Sequence, residues 1–168
     1  MSLEDEFVDE TSLDSLSSLL TKEEHETMST ALVMVKCRHV DQYWDIATVL
    51  RTVGYNVPTY TRTKIGTAIA HALYKEHAGR DYFSGLIESV TSGDVALLVV
   101  QGKTTPTFYA ELRKLVGPTD PVVARSDKPT SLRGRFTSEG DTLPHNAIHC
   151  SDSYESACRE LELMYKLI

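Results

Sequence analysis

Cysteine is scarce in this chain of 168 residues and odd in number: Cys37, Cys150 and Cys158, with no C-x-x-C pair. That excludes a disulfide framework and a cysteine zinc site, and it makes a reducing compartment, the cytoplasm, the expectation. Long apolar runs are also missing. No stretch approaches the roughly 20 residues that a membrane-spanning helix requires. The N-terminus has neither the basic n-region nor the apolar h-region of a secretory signal, and its acidity is wrong for a mitochondrial presequence. Basic charge is in deficit, with 17 Lys and Arg against 24 Asp and Glu and a net charge of −7. Phosphate-backbone affinity comes mainly from neutralised charge, so a duplex-DNA binder with a basic face is excluded. Neither nucleic acid nor membrane is expected as a partner. A small phosphate ligand stays open, because it needs only a few well-placed cations.

The deficit is local. Residues 1–28 hold nine acids and one base, Lys22, for a balance of −8, while residues 29–168 hold 15 acids and 16 bases. The sequence therefore predicts a near-neutral single domain over 29–168 preceded by an acidic, solvated, disordered tail over 1–28. Leu13, Leu16 and Leu20 do recur at helical spacing, and a short docking helix is the rival reading of that tail. With 41% hydrophobic residues the chain can bury one sizeable core.

Regular patterning begins at Thr30. Ala31-Leu32-Val33-Met34-Val35 reads as a buried strand. Val40, Tyr43, Trp44, Ala47 and Leu50 follow at 3.6-residue spacing, and Gly54 closes that helix. Tyr55 to Arg62 reads as a second strand, which Pro58 marks as an edge or a bulge. Helical segments follow near 65–76 and 81–92, then a strong strand over Val95–Val100. Thr105-Pro106 is the expected start of a helix carrying Phe108, Leu112 and Leu115. Residues 117–144 read as loop. A strand near 145–149 leads into a helix expected to start at Asp152 with Glu155, burying Ala157, Leu161, Met164 and Tyr165. This order predicts an α+β, ferredoxin-like split βαβ fold: one domain with a four-stranded antiparallel sheet and helices on one face.

Several possible sites weaken on inspection. Gly102-Lys103-Thr104 resembles the end of a P-loop, but position 97 is Leu inside a strand, and an ordinary turn is expected instead. His71 and His77 have the wrong spacing for one helical face and read as surface residues. Cys37 beside Arg38 and His39 carries no nucleophile signature. The segment Asn146-Ala-Ile-His149-Cys-Ser151-Asp-Ser153 differs from these. It sets a histidine at a strand end, before a capped helix, with Glu160 eleven residues on to orient one ring nitrogen and leave the other free.

That segment resembles the hallmark of the nucleoside diphosphate kinases, Asn-x-x-His-Gly-Ser-Asp-Ser, followed by Ser-Ala and a helical Glu, here Ser156-Ala157 and Glu160. The likeness extends upstream. The stretch from Tyr74 through Arg80-Asp81-Tyr82-Phe83 to Gly85-Leu86 is similar to the family's Tyr…Arg-Pro-Phe-Phe-x-Gly-Leu region. Arg113 stands four residues before Gly117 and six before Thr119, as in the family, and Ser131-Leu-Arg133-Gly134 is similar to its Thr-Ile-Arg-Gly. Gly117-Pro118-Thr119 and Arg159-Glu160 look more like the divergent eukaryotic branch than the housekeeping one. The resemblance spans about residues 30–166.

The resemblance implies a phosphotransferase that moves the γ-phosphate of ATP or another nucleoside triphosphate to a nucleoside diphosphate, with a phosphohistidine at His149 as intermediate. It implies catalytic roles for His149, Glu160, Ser151, Tyr74 and Lys36. Phosphates and sugar would be held by Lys36, Arg113, Thr119, Arg133 and Asn146, and the base by Tyr82, Leu86 and Leu143. It further implies Mg²⁺ carried by the nucleotide phosphates, no metal ligands on the protein, and a homo-oligomer of open size. The chain departs from the pattern where the family's Pro-Asp-Gly after the lysine is Cys37-Arg38-His39, which predicts a changed aim for Lys36. Cys150 replaces the glycine after the histidine and is expected to add bulk there. The segments 102–117 and 133–149 are each a few residues longer than usual. These departures and the tail support an alternative: a weakly active or inactive kinase-fold module that docks through its acidic N-terminus.

Overall fold

A computed structural model describes residues 27–168; the acidic segment before it, with Leu13, Leu16 and Leu20, lies outside the described residues. Strand β1 (Met28–Val35) leads through a 3₁₀ turn (Cys37–Gln42) into helix α1 (Tyr43–Thr52) and strand β2 (Asn56–Thr63). Helices α2 (Thr67–Leu73) and α3 (Phe83–Thr91) precede β3 (Val95–Lys103). Then come α4 (Phe108–Val116), α5 (Pro121–Asp127), α6 (Leu132–Phe136), β4 (Ile148–Cys150) and α7 (Tyr154–Met164).

The sheet order is β2-β3-β1-β4, and every adjacent pair is antiparallel. β1 and β2 are therefore parallel with β3 between them, and β3 and β4 are parallel with β1 between them. Two βαβ units interlock, which is the expected ferredoxin-like arrangement. Pro58 has the effect read from the sequence: β2 is an edge strand, and its register slips between Asn56 and Thr59.

The expectation of helices on one face is corrected. Alternation along β1 sends Ala31, Val33 and Val35, with their partners Val100, Leu98 and Ala96, into a layer with α1 and α4. Leu32, Met34 and Leu97 enter a second layer, with Leu73, Leu86, Val90 and Met164. A strand that is apolar at every position needs cover on both sides. Helices α2, α3 and α7 supply the second cover. Each fully buried aliphatic side chain contributes about 1.5–3 kcal/mol of transfer free energy, so both layers hold the sheet.

Other differences have local causes. The stretch 117–144 contains two short helices: Asp120 caps α5 by accepting from the amides of Val122 and Val123, with Pro121 at the first position, and Ser131 caps α6 through Gly134 N. Helices of seven and five residues are too short to show a period. Helix α4 starts after Thr107, because Thr105 instead closes a turn in which its carbonyl accepts from Phe108 N at 3.3 Å. Ser153, not Asp152, caps α7. Gly102 and Lys103 end β3 and are not a turn; a Cβ on Gly102 would lie 2.8 Å from the Phe108 ring, so glycine is required there. Tyr165 follows the last turn of α7 and is exposed, and Trp44 lies half-exposed in an aromatic cluster with Tyr43 and Tyr60. No helix among the described residues is long and apolar enough to cross a membrane.

Candidate active site

β4 is only three residues long, and its alternation creates the site. Ile148 and Cys150 are buried in the layer of α1 and α4. His149, paired with Met34 across the ladder, turns to the other side, where its ring meets Tyr74 edge-on with centroids 5.6 Å apart. Tyr74 follows the last residue of α2. Glu160 projects from the buried side of α7, and its Oε2 lies 3.0 Å from His149 Nε2, at ion-pair distance but outside hydrogen-bond alignment. Ser151 Oγ donates to the same Oε2 at 2.7 Å, while Leu32 N donates to Ser151 Oγ at 3.0 Å. The carboxylate is thus fixed through Ser151 to the central strand β1.

Cations gather beside the histidine. Lys36 ends β1, is 3% exposed, and donates from Nζ to Pro144 O at 2.7 Å. Burial, with the neighbouring Arg133 charge, lowers its pKa to about 7. Arg133 on α6 is equally buried; Nε and Nη2 donate to Ile148 O at 3.2 and 2.8 Å, and Nη1 donates to Gly117 O at 2.7 Å. Burial lowers the Arg133 pKa to about 10. Gly117 adopts φ +93°, and a side chain there would collide with Ser131, so the turn that offers its carbonyl to Arg133 depends on glycine. Arg113, in the last turn of α4, and Thr119 stand exposed at the mouth. Asn146 is buried; its Nδ2 donates to Thr119 O at 2.8 Å, and its Oδ1 has no partner among the described residues. The Tyr74 hydroxyl is likewise buried without a partner among the described residues, and burial together with Glu160 raises its pKa.

These side chains line one cavity of about 340 Å³. Eleven of the twelve residues expected from the sequence face it: Lys36, Tyr74, Tyr82, Leu86, Arg113, Thr119, Arg133, Leu143, Asn146, His149 and Glu160. Ser151, fully buried, stands behind Glu160 and does not reach the cavity. Lys36 faces the cavity despite the changed residues after it, because 37–42 close into a 3₁₀ turn that begins only beyond the lysine. Cys150 packs into the layer of α1 and α4 and also forms part of the cavity wall beside His149. Burial pushes its thiol up to about 12, so it stays protonated and unreactive.

The sequence did not reveal His77 as part of the wall. Its Nδ1 lies 2.8 Å from the Tyr82 hydroxyl, and it lines the cavity with Glu76. A contact made across the Gly79 turn has no periodic signature. Asp152 and Arg159 also reach the wall; Arg159 caps α2 by donating to the carbonyls of Ala72 and Leu73.

A partly exposed histidine, oriented by a buried carboxylate and set among buried cations lacking an anion, is equipped to take up a phosphoryl group. A family model described as nucleoside diphosphate kinase matches residues 29–167. A nucleoside diphosphate kinase of Methanocaldococcus jannaschii is 35% identical over 113 residues, 67% of this chain and 74% of the relative. Among solved structures, the nucleoside diphosphate kinase of Aquifex aeolicus superposes with a TM-score of 0.73 at 28% identity, covering 82% of this chain and 95% of that one. The enzyme of Halobacterium salinarum, solved in complex with CDP, gives 0.69 at 32% identity, covering 82% and 87%. This chain belongs to the nucleoside diphosphate kinase family.

Proposed function

We propose that the protein transfers the γ-phosphate of a nucleoside triphosphate to a nucleoside diphosphate in two half-reactions through His149. The observation that carries the reading is the pairing of Nε2 with Glu160 Oε2 at 3.0 Å. The charge of that carboxylate favours the tautomer with its proton on Nε2, which leaves the lone pair on Nδ1. In the first half-reaction Nδ1 attacks the γ-phosphorus, the bond to the bridging oxygen breaks, and its electron pair leaves on the nucleoside diphosphate. The imidazole ring gains positive charge as the N–P bond forms, and Glu160, steadied by Ser151, stabilises that charge. In the second half-reaction a terminal phosphate oxygen of an incoming diphosphate attacks the same phosphorus, and the N–P bond breaks back onto Nδ1. Water takes no part in the balance.

Lys36, Arg113 and Arg133 supply positive charge where negative charge spreads over the transferred group. Repulsion between two buried cations is relieved when the polyphosphate arrives, which favours an anionic ligand over an empty site. The unpartnered hydroxyl of Tyr74 and Oδ1 of Asn146 are free to bond phosphoryl and sugar groups. Tyr82, Leu86 and Leu143 offer faces to a base, and stacking is tolerant of which base it meets. Mg²⁺ would arrive with the nucleotide as part of the substrate, and Lys36, Arg113 and Arg133 would hold the phosphates and not the ion. Retention of all twelve site residues in one constellation supports an active enzyme over an inactive docking module. Incubation with γ-labelled ATP tests this: acid-labile, base-stable label on the protein is expected, absent from His149→Ala. No label on the unmodified protein contradicts the reading.

A further inference from the structure

The two departures from the family pattern that flank the site, the changed turn at 37–39 and the lengthened segment before Asn146, meet in space. His39 Nε2 lies 2.8 Å from Asp141 Oδ2, with both side chains 2% exposed. The other ring nitrogen, Nδ1, lies 3.0 Å from Gln42 Oε1. Asp141 Oδ2 also accepts from Ser138 N at 2.8 Å, and Arg38 Nη1 stands 3.7 Å from Oδ1. Each end of this contact continues into the nucleotide site. On one side His39 N donates to Lys36 O at 2.9 Å. On the other, Asp141 anchors the loop whose next residues are Leu143, which lines the cavity, and Pro144, whose carbonyl receives Lys36 Nζ.

We infer that His39 and Asp141 are positioning residues, a clamp that fixes the loop carrying Leu143 and Pro144 relative to Lys36, so that phosphate cradle and base-covering lip are set together. The proposal rests on the nucleotide-site reading and deepens it. The family's turn sits where His39 now stands, and a longer loop would hang free without an anchor. A buried histidine–carboxylate contact supplies one, and both partners come from the segments that changed. Among the described residues, Arg38 and the His39 ring are the charged groups that face Asp141 within ion-pair distance. Neither clamp residue touches His149 or Glu160, so the clamp acts on binding and leaves the nucleophile's orientation unchanged.

Hydrogen exchange and ADP calorimetry on the full chain test it. In the unmodified protein the amides of Ser138, Asp141 and His145 are expected to exchange far more slowly than free chain; exchange at free-chain rates overturns the clamp, whatever the variants do. In Asp141→Ala, exchange should accelerate across 138–147. ADP affinity should fall on the order of tenfold, and KM should rise with kcat nearly unchanged. Asp141→Asn, whose amide oxygen still accepts from Nε2, should restore both. His39→Gly should match Asp141→Ala, and the double variant should be no worse than either. Faster exchange with unchanged ADP affinity overturns the link to the site. If the unmodified protein fails to bind ADP, the nucleotide reading falls, and slow exchange at 138–147 still decides whether the clamp exists.

Discussion

The two layers that cover the sheet draw on alternate residues of the same strands, yet they carry different chemistry. The layer against α1 and α4 takes Val33, Leu98, Ile148 and Cys150 and is apolar through its centre. The layer against α2, α3 and α7 takes Leu32, Met34 and Leu97, and at its β4 edge it opens onto His149, Tyr74 and Glu160. One residue of shift in β4 would exchange these roles, burying the histidine and exposing isoleucine. Register, pinned by the pairs Val33–Cys150, Met34–His149 and Val35–Ile148, is therefore as much a part of the site as the histidine. Stability and reactivity are separated by the pleat of one short strand.

The largest effects should break that comparison if it is wrong. His149→Ala should abolish phosphoenzyme and nucleotide exchange, with a melting temperature within a few degrees of the unmodified protein, because the ring borders the cavity and lies outside both apolar clusters. Leu98→Ala, on the opposite face, should cost about 2–5 kcal/mol of stability and leave activity per folded molecule unchanged. Chemical denaturation and transfer assays on both variants check the pair, and a reversed pattern would refute the division of labour.

Smaller changes sharpen it. Glu160→Gln keeps shape and loses the charge that faces the ring at 3.0 Å; transfer should slow by about 10–100-fold, measured as the rate of the first half-reaction. Lys36 gives a pH signature. Its pKa is about 7 in the empty site, and bound polyphosphate raises it, so binding above pH 7 takes up a proton. ADP affinity should therefore weaken as pH rises above 7. Calorimetry at pH 8.5 in buffers of different ionisation enthalpy should report uptake of about one proton per nucleotide, absent in Lys36→Met. The smallest effect concerns the acidic segment. Removing residues 1–26 takes away −8 of charge and leaves β1 whole. Activity should change little, with a modest gain in association at low salt that disappears where screening acts over about 8 Å.

The sequence made the strands and the site legible for different reasons. The run at 31–35 and Pro58 announced a buried strand and an edge strand, because period and backbone restriction are local properties. His149 and Glu160 were legible as a histidine at a strand end with a carboxylate in the helix that follows, whereas Arg113 and Arg133 were legible only through the spacing of motifs. What stayed hidden was non-local or too short to show a period. The second helical layer followed only from seeing both faces of β1 buried. α5 was hidden within a stretch rich in Gly and Pro, although Asp120-Pro121 is a helix start. His77–Tyr82 and His39–Asp141 join residues across turns or across 102 positions of chain, where no periodic signal exists. Ser151, expected among the site residues, lies buried behind Glu160 and donates to its carboxylate.

The most direct test of the account isolates the labelled phosphoenzyme, freed of nucleotide, and adds unlabelled GDP. The account predicts that label leaves the protein and appears quantitatively as GTP, with none released as inorganic phosphate during the chase. Label that stays on the protein, or that passes to water, would contradict a two-step transfer through His149.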